Sequence, residues 1–315
     1  EADAAWGTAD IVLRVYPITP GEASKLKEGA LLIGFMSQHK NLESVKILRD
    51  RKVSTISMEL IPRISRAQSM DALSSQASIA GYQAVLMAAT YLDKYFPLLM
   101  TAAGTIQPAK IVIMGAGVAG LQAIATAKRL GAVVEVSDIR PAVKEQVESL
   151  GGRFIDFPMD ESGEGEGGYA RELTPEQLAA QQEVVRQKVV AADAVITTAL
   201  VPGRPAPKLI TEDMVKEMRE GAVIVDLAVE SGGNCELSKS GEMVSAHGVT
   251  IIGHPNMPAA TPADASLLYS RNILTLLLST LKDGEVVLDL EDEILDGALL
   301  THNGEVRHGP TAEAL

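Results

Sequence analysis

The chain has 315 residues, 46% hydrophobic and 3% aromatic, with a formal charge of −13; that length holds two domains of ~150 residues. The acidic balance weighs against nucleic acid or an anionic membrane surface as a partner, and no apolar run reaches the ~20 residues needed to span a bilayer. A single cysteine, Cys235, excludes an intrachain disulfide framework and reads as a small buried residue in a reducing compartment.

With few aromatics, the core must be built from Ala, Val, Leu, Ile and Met, and with 27 glycines that palette suits strands and helices in alternation. DIVLRV (10–15) reads as a strand, PGEASKLKEG (20–29) as a short helix and ALLIGF (30–35) as the next strand. LESVKILRDRK (42–52) spaces Leu42, Val45 and Leu48 for a helix, and VSTISMEL (53–60) supplies a third strand. Crossover helices between these strands predict parallel pairing. The polar stretch RISRAQSMD (63–71) then breaks the rhythm, and it reads either as a solvated turn or as a set of donors and acceptors. A long helix follows, over about 73–95, of a length that suits a connection between domains.

Gly104 and Pro108 mark a boundary, giving a first α/β domain over 1–100 and a second over 101–255. The second reads as strand IVIM, helix VAGLQAIATAKRL, strand AVVEVSD, helix PAVKEQVESL and strand RFIDF. After an acidic, glycine-rich excursion (158–177) come a helix through RQKVV, strand AVITT, helix TEDMVKEM and strands AVIVDLA and VTIIG. This is an open doubly wound sheet in outline. Residues 256–315 are expected to carry a long helix back to the first domain and to end in further strands.

Gly115-Ala116-Gly117-Val118-Ala119-Gly120 is a GxGxxG match, preceded by a strand, followed by a helix that should stop at Gly131, and completed by Asp138 eighteen residues on. In that context the motif predicts a dinucleotide site. Gly115 makes the tight turn, Gly117 lets the backbone approach a pyrophosphate, and Gly120 lets helix and strand pack closely. The helix N-terminus presents unpaired N–H groups to the phosphates. Asp138 would accept hydrogen bonds from the ribose hydroxyls, with Val118, Ile139 and Arg140 also at the cofactor and Arg140 bordering the adenine. A charge-assisted hydrogen bond of about 1.5–3 kcal/mol shifts preference roughly 10- to 100-fold, so Asp138 favours NAD over NADP. The bland alternative is a strand–helix turn with no ligand.

Hydrolytic and metal chemistry have no support, since GxSxG, HExxH and CxxC are absent and the five histidines are scattered. His254 follows a strand end, where a ligand-facing role competes with the commoner structural one. Residues 197–207 and 226–236 follow two further strands, at the edge where open sheets bind ligands.

Taken together, RISRAQSMDALSSQASIAGY (63–82), the segment from GAGVAG to ESLGG (115–152), GGYA (167–170), TTALVPGRPAPKLIT (197–211) and DLAVESGGNCE (226–236) resemble the NAD(H)-binding component of proton-translocating nicotinamide nucleotide transhydrogenase, a relative of alanine dehydrogenase. The resemblance covers nearly the whole chain. It implies two Rossmann-like α/β domains with parallel sheets, joined by long helices, with the nucleotide in the interdomain cleft. It also implies direct hydride transfer from NADH to NADP⁺ on a partner component, coupled to proton movement through a separate membrane component. A homodimer, peripheral to the cytoplasmic face of a bacterial inner membrane or to the matrix side, is implied as well.

Carried over by position, Arg63, Gln68, Asp71 and Ser74 form the catalytic loop. The arginine, aspartate and serine hold the carboxamide and ribose of the nicotinamide half, and the glutamine reaches toward the partner's nucleotide. Ile64, Ser65, Ser69 and Met70 line the same loop, Tyr169 belongs to a mobile loop that closes over the nucleotide, and Gly168, Ala199 and Leu200 contact it. The family's component begins with further strand and helix, so the first domain is expected to lack its N-terminal portion. Ser37 stands where alanine dehydrogenase carries its catalytic histidine, although His39 two residues later leaves that alignment open. Hydride exchange needs ring orientation and water exclusion but no acid or base. Alanine dehydrogenase must move a proton too. An NAD-sensing module is the non-enzymatic alternative.

Overall fold

A computed structural model describes residues 2–156, 175–201 and 204–315. Gly168 and Tyr169 lie outside the described residues. By its internal contacts the chain divides into two compact units, Glu1–Gln76 with Pro262–Leu315, and Ala77–Thr261.

The first unit is built on a five-stranded sheet. Ile11–Leu13, Leu31–Gly34 and Ser54–Ser57 lie side by side and parallel, as the crossover helices require. Leu299–His302 then adds antiparallel to Ser54–Ser57, and Glu305–Val306 closes the edge by a hairpin. The middle strands are buried along their whole length, which explains their unbroken apolar or small-residue sequence. One face carries Ile33, Ile56, Met70, Ile273, Leu276 and Leu295, and the other packs Ile18, Leu26, Leu32 and Leu48. The helix Ala2–Thr8, ahead of the first strand, has no counterpart in the sequence pattern.

The second unit holds a seven-stranded sheet. In spatial order its strands are Glu242–Ala246, Val249–Gly253, Val223–Asp226, Ala194–Thr197, Lys110–Met114, Val133–Ser137 and Arg153–Phe154. Six of them run parallel in the doubly wound order 3-2-1-4-5-6. The seventh, Glu242–Ala246, pairs antiparallel with Val249–Gly253. His247 and Gly248 join them, both at positive φ, the geometry of a tight hairpin turn. Apolar periodicity does not announce this strand, because its residues alternate weakly and it is exposed along most of its length.

The long helix is Ala72–Tyr91, and the division between units falls inside it, at 76/77, rather than at the 100/101 boundary that the chain-breaking residues suggest. Ala84, Val85 and Ala88 pack into the core of the second unit with Ile111, Ile113 and Ile196. Its later turns therefore belong to that unit. The segment with Gly104 and Pro108 is a small exposed hairpin, Leu99–Thr101 with Gly104–Ile106. Among the described residues, no helix is long and apolar enough to cross a membrane.

Candidate functional site

The strand Lys110–Met114 ends at the switch point of the second sheet, and the glycine turn follows it directly. Gly115 sits at φ 105° with its N–H donating to the Ser137 carbonyl (2.8 Å), and a Cβ there would meet Thr198 Oγ1 at 2.5 Å. A Cβ on Gly120 would lie 1.8 Å from the Gly115 carbonyl oxygen. Both glycines are therefore demanded by the chain's own packing. Gly117 is different: its φ is −78° and a Cβ would meet nothing within 4 Å. Neither strain nor internal packing asks for glycine there. The helix that starts next, Val118–Arg129, has no side-chain cap on its first N–H groups, so they remain available to an anion.

Asp138 stands at the end of the neighbouring strand, 9% exposed. Its Oδ2 accepts the Ala116 N–H (2.7 Å) and Arg140 Nη2 (3.0 Å), and its Oδ1 accepts the Arg140 N–H (2.8 Å) and Nε (3.0 Å). Burial alone would raise its pKa, but the guanidinium and the two backbone donors outweigh it and hold the carboxyl below its ordinary value. Arg140 is raised in turn, chiefly by its hydrogen bonds to Asp138. Beside the pair, Ile139 is 87% exposed and Val118 is also exposed, two apolar side chains flanking a polar turn.

The loop after Ala194–Thr197 is tied down from below. Thr198 Oγ1 donates to the carbonyl region of Met114 and Gly115. Asn234, fully buried, accepts the Ala199 N–H (3.1 Å) and donates through Nδ2 to the carbonyls of Ala199 (2.9 Å) and Pro207 (2.8 Å). Asp226, equally buried, gathers Thr197 Oγ1, the N–H groups of Ala228 and Cys235, and Ser238 Oγ. Ala199 and Pro207 are thus held by Asn234, a residue that the sequence pattern does not single out. Its only signal is a polar residue in a glycine-rich loop after a strand. Leu200 remains 55% exposed. Cys235 is buried, and burial pushes its thiol up, which fits a packing role. His254 follows Val249–Gly253, with its Nδ1 buried and unpartnered among the described residues.

In the first unit, residues 63–71 form a 3₁₀ turn, Ser65–Met70, leading into the long helix. Its two arginines part company. Arg66 is engaged by Asp292 (2.7 and 2.9 Å) and Glu293, and Arg66 holds the Asp292 carboxyl down to about 2. Arg63 is exposed, with no hydrogen-bond or ion-pair partner among the described residues, and so is the Gln68 side chain. Asp71 accepts the Ser74 N–H (2.9 Å) and Ser74 Oγ (2.5 Å), capping the helix. Ala67 and Met70 face inward as anchors, while Ser65 and Ser69 are exposed and Ile64 is half-buried. Asn272, in the helix Pro262–Thr280, donates to the Ser69 carbonyl (2.8 Å) and accepts from Ser75 Oγ (2.7 Å). It pins the loop's exit, and its only sequence signal is an amide inside an apolar run.

Ser37, after the strand Leu31–Gly34, adopts φ 44°, and its N–H and that of Met36 donate to the Glu59 carboxylate. His39 is exposed. No group of three or more His, Cys, Asp or Glu side chains fit to hold a metal occurs among the described residues.

Residues 1–80 match the N-terminal domain, and residues 84–309 the C-terminal domain, of the family described as alanine dehydrogenase/PNT. The chain belongs to that family. Within it, the chain is 50% identical to an NAD(P) transhydrogenase subunit alpha protein of Rhodospirillum rubrum, over 96% of this chain and 82% of the relative. A transhydrogenase structure from Sinorhizobium meliloti superposes with a TM-score of 0.87 at 47% identity, covering 96% of this chain and 83% of that one. An L-alanine dehydrogenase structure is more distant in sequence, at 26% identity, with a TM-score of 0.81 over 99% of this chain and 82% of that one. The Rossmann-like α/β fold and the placement among transhydrogenase alpha subunits rather than alanine dehydrogenases follow from these likenesses. The chain is an NAD-binding oxidoreductase component, and the subunit names of its relatives point to a complex of several subunits.

Proposed function

We propose that this chain is the NAD(H)-binding component of a proton-translocating transhydrogenase and passes a hydride from NADH directly to NADP⁺ held on a partner component. The reaction balances as NADH plus NADP⁺ giving NAD⁺ plus NADPH: one C–H bond breaks, one forms, and both electrons travel with the hydrogen. No proton needs a home at either ring. The observation that carries this reading is the chemistry of residues 63–74. Two side chains there, Arg63 and Gln68, are exposed without partners among the described residues. The carboxylate of Asp71 is engaged by Ser74, and the loop holds no histidine. Such a loop can orient a carboxamide and ribose but offers no group poised for acid–base work.

The remaining roles follow the residues. The turn Gly115, Gly117 and Gly120, with the uncapped start of the helix at Val118, would take the pyrophosphate, and Asp138 the adenosine ribose. Arg63, Asp71 and Ser74 would fix the nicotinamide half, with Ile64, Ser65, Ser69 and Met70 shaping the loop, while Ala199, held by Asn234, and the exposed Leu200 beside it would contact the nucleotide. Gln68 would face the partner's nucleotide. Nicotinamide supplies the hydride donor; the chain supplies orientation and shielding from water. A partner bearing NADP(H), a membrane component that couples the step to proton movement, and a second copy of this chain complete the proposed assembly.

Two assays test the reading in parallel. The protein with NADH and an NADP-binding partner component is expected to reduce an NADP⁺ analogue, and to leave NADH unoxidised when given pyruvate and ammonia. Activity in the second assay alone would mark an alanine dehydrogenase. Nucleotide binding with neither activity would mark a sensor.

A further inference from the structure

A carboxylate offers about four lone-pair positions, and at Asp138 the chain fills all four. Two of the donors are backbone N–H groups, of Ala116 and Arg140, fixed by the turn itself. The other two, Nε and Nη2 at 3.0 Å each, belong to the single guanidinium of Arg140, whose side chain is 56% exposed while that of Asp138 is 5% exposed. A ribose diol also brings two O–H donors, on adjacent carbons. It cannot bond to this carboxylate until two positions are vacated, and only the guanidinium can leave without unmaking the turn.

We propose that Arg140 is a latch and specificity-determining residue: its guanidinium closes the Asp138 carboxylate and is exchanged, two donors for two, for the 2′- and 3′-hydroxyls of an adenosine ribose. The proposal rests on the reading of Asp138 as the ribose acceptor. Apparent affinity for NADH is then the intrinsic affinity reduced by the fraction of molecules with the latch open. The released guanidinium remains tethered two residues from Asp138. For NADH it finds no anion at the 2′ position. For NADPH, whose 2′-phosphate leaves one hydroxyl donor and sets a dianion beside the carboxylate, it offers a partner charge. The same side chain thus lowers affinity for NADH and softens the discrimination against NADPH.

Arg140→Met removes the fork while keeping an unbranched side chain at an exposed position. Titration calorimetry of the whole chain is expected to show NADH binding about 3- to 10-fold tighter in the variant, the worth of one half-exposed ion pair. NADPH binding is expected to weaken, and Arg140→Lys to fall between. With NADH lacking the adenosine 2′-hydroxyl, the gain should shrink, since a single donor asks for less of the carboxylate. Unchanged or weaker NADH binding in Arg140→Met would overturn the latch while leaving the chain an NAD(H)-binding protein. Failure of the unsubstituted chain to bind NADH would instead overturn the ribose-site reading, and the latch with it.

Discussion

At the scale of single residues, geometry separates side chains that composition treats alike. Arg63 and Arg66 lie three positions apart in one polar turn, yet Arg66 is spent on Asp292 while Arg63 is exposed without a partner among the described residues. Gln68 is exposed and unpartnered among the described residues, so Gln68→Asn, one methylene shorter, should slow hydride transfer at least tenfold while NADH affinity changes less than about threefold. Stopped-flow transfer alongside NADH titration checks this, and a proportional loss of both would place Gln68 on the NADH itself. Asp138→Asn should weaken NADH binding roughly 10- to 100-fold, because an amide cannot replace a carboxylate that accepts four donors; direct titration measures it. The glycine fingerprint and Asp138 are legible in the sequence because their spacing is local and each residue has a mechanical role. The bidentate hold of Arg140 on Asp138 is not, since nothing in SDIR distinguishes a side chain bent back onto its neighbour from one that borders a ligand. Asn234 and Asn272 escape notice for a related reason: each acts through residues distant in sequence.

Among elements, the helix that begins at Val118 is placed by two close approaches. Gly120 brings it against the turn carbonyl of Gly115, and Gly81 brings the long helix Ala72–Tyr91 onto Ala119, where a Cβ would fall 2.0 Å from the carbonyl oxygen. Gly81→Ala would gain about 1 kcal/mol of helix propensity, but a clash with rigid backbone costs more, typically about 1–3 kcal/mol. Chemical denaturation is therefore expected to show net destabilisation by up to ~2 kcal/mol, with a loss of NADH affinity as the glycine turn shifts. A stabilised Gly81→Ala protein would contradict the packing described. The helices and parallel strands can be read from apolar periodicity, whereas the hairpin Leu99–Thr101 with Gly104–Ile106 cannot, being exposed and carrying no buried stripe. Likewise, the sequence suggests a boundary at Gly104 and Pro108, since breakers are visible there, while the packing of Ala84, Val85 and Ala88 is not.

For the molecule as a whole, the N-terminal edge of the large sheet is held by a charge cluster around Asp193, 6% exposed, which accepts from Lys94 (2.8 Å), Arg219 Nε (2.8 Å) and the Lys110 N–H (2.8 Å). Burial opposes ionisation, but these three partners prevail and lower the Asp193 pKa. A carboxyl lowered in the folded state contributes stability fully above its unfolded pKa, near 4, and loses it as pH falls through the folded value. Asp138, lowered in the same sense, adds to the effect. Thermal denaturation should accordingly show stability falling below about pH 4, with Asp193→Asn costing ~1–3 kcal/mol at pH 7 and losing part of that acid dependence. An Asp193→Asn protein as stable as the parent at pH 7 would show that the cluster is a solvated decoration. If hydride passes straight from one nicotinamide to the other, the transferred hydrogen never meets solvent, and isotope labelling reads this out. With NADH carrying deuterium at the transferred C4 position, and NADP⁺ on the partner component in ordinary water, mass spectrometry of the NADPH should find the label retained in full. Unlabelled NADPH, with deuterium lost to solvent, would contradict direct transfer and require a proton-exchanging group that the loop at 63–74 does not supply.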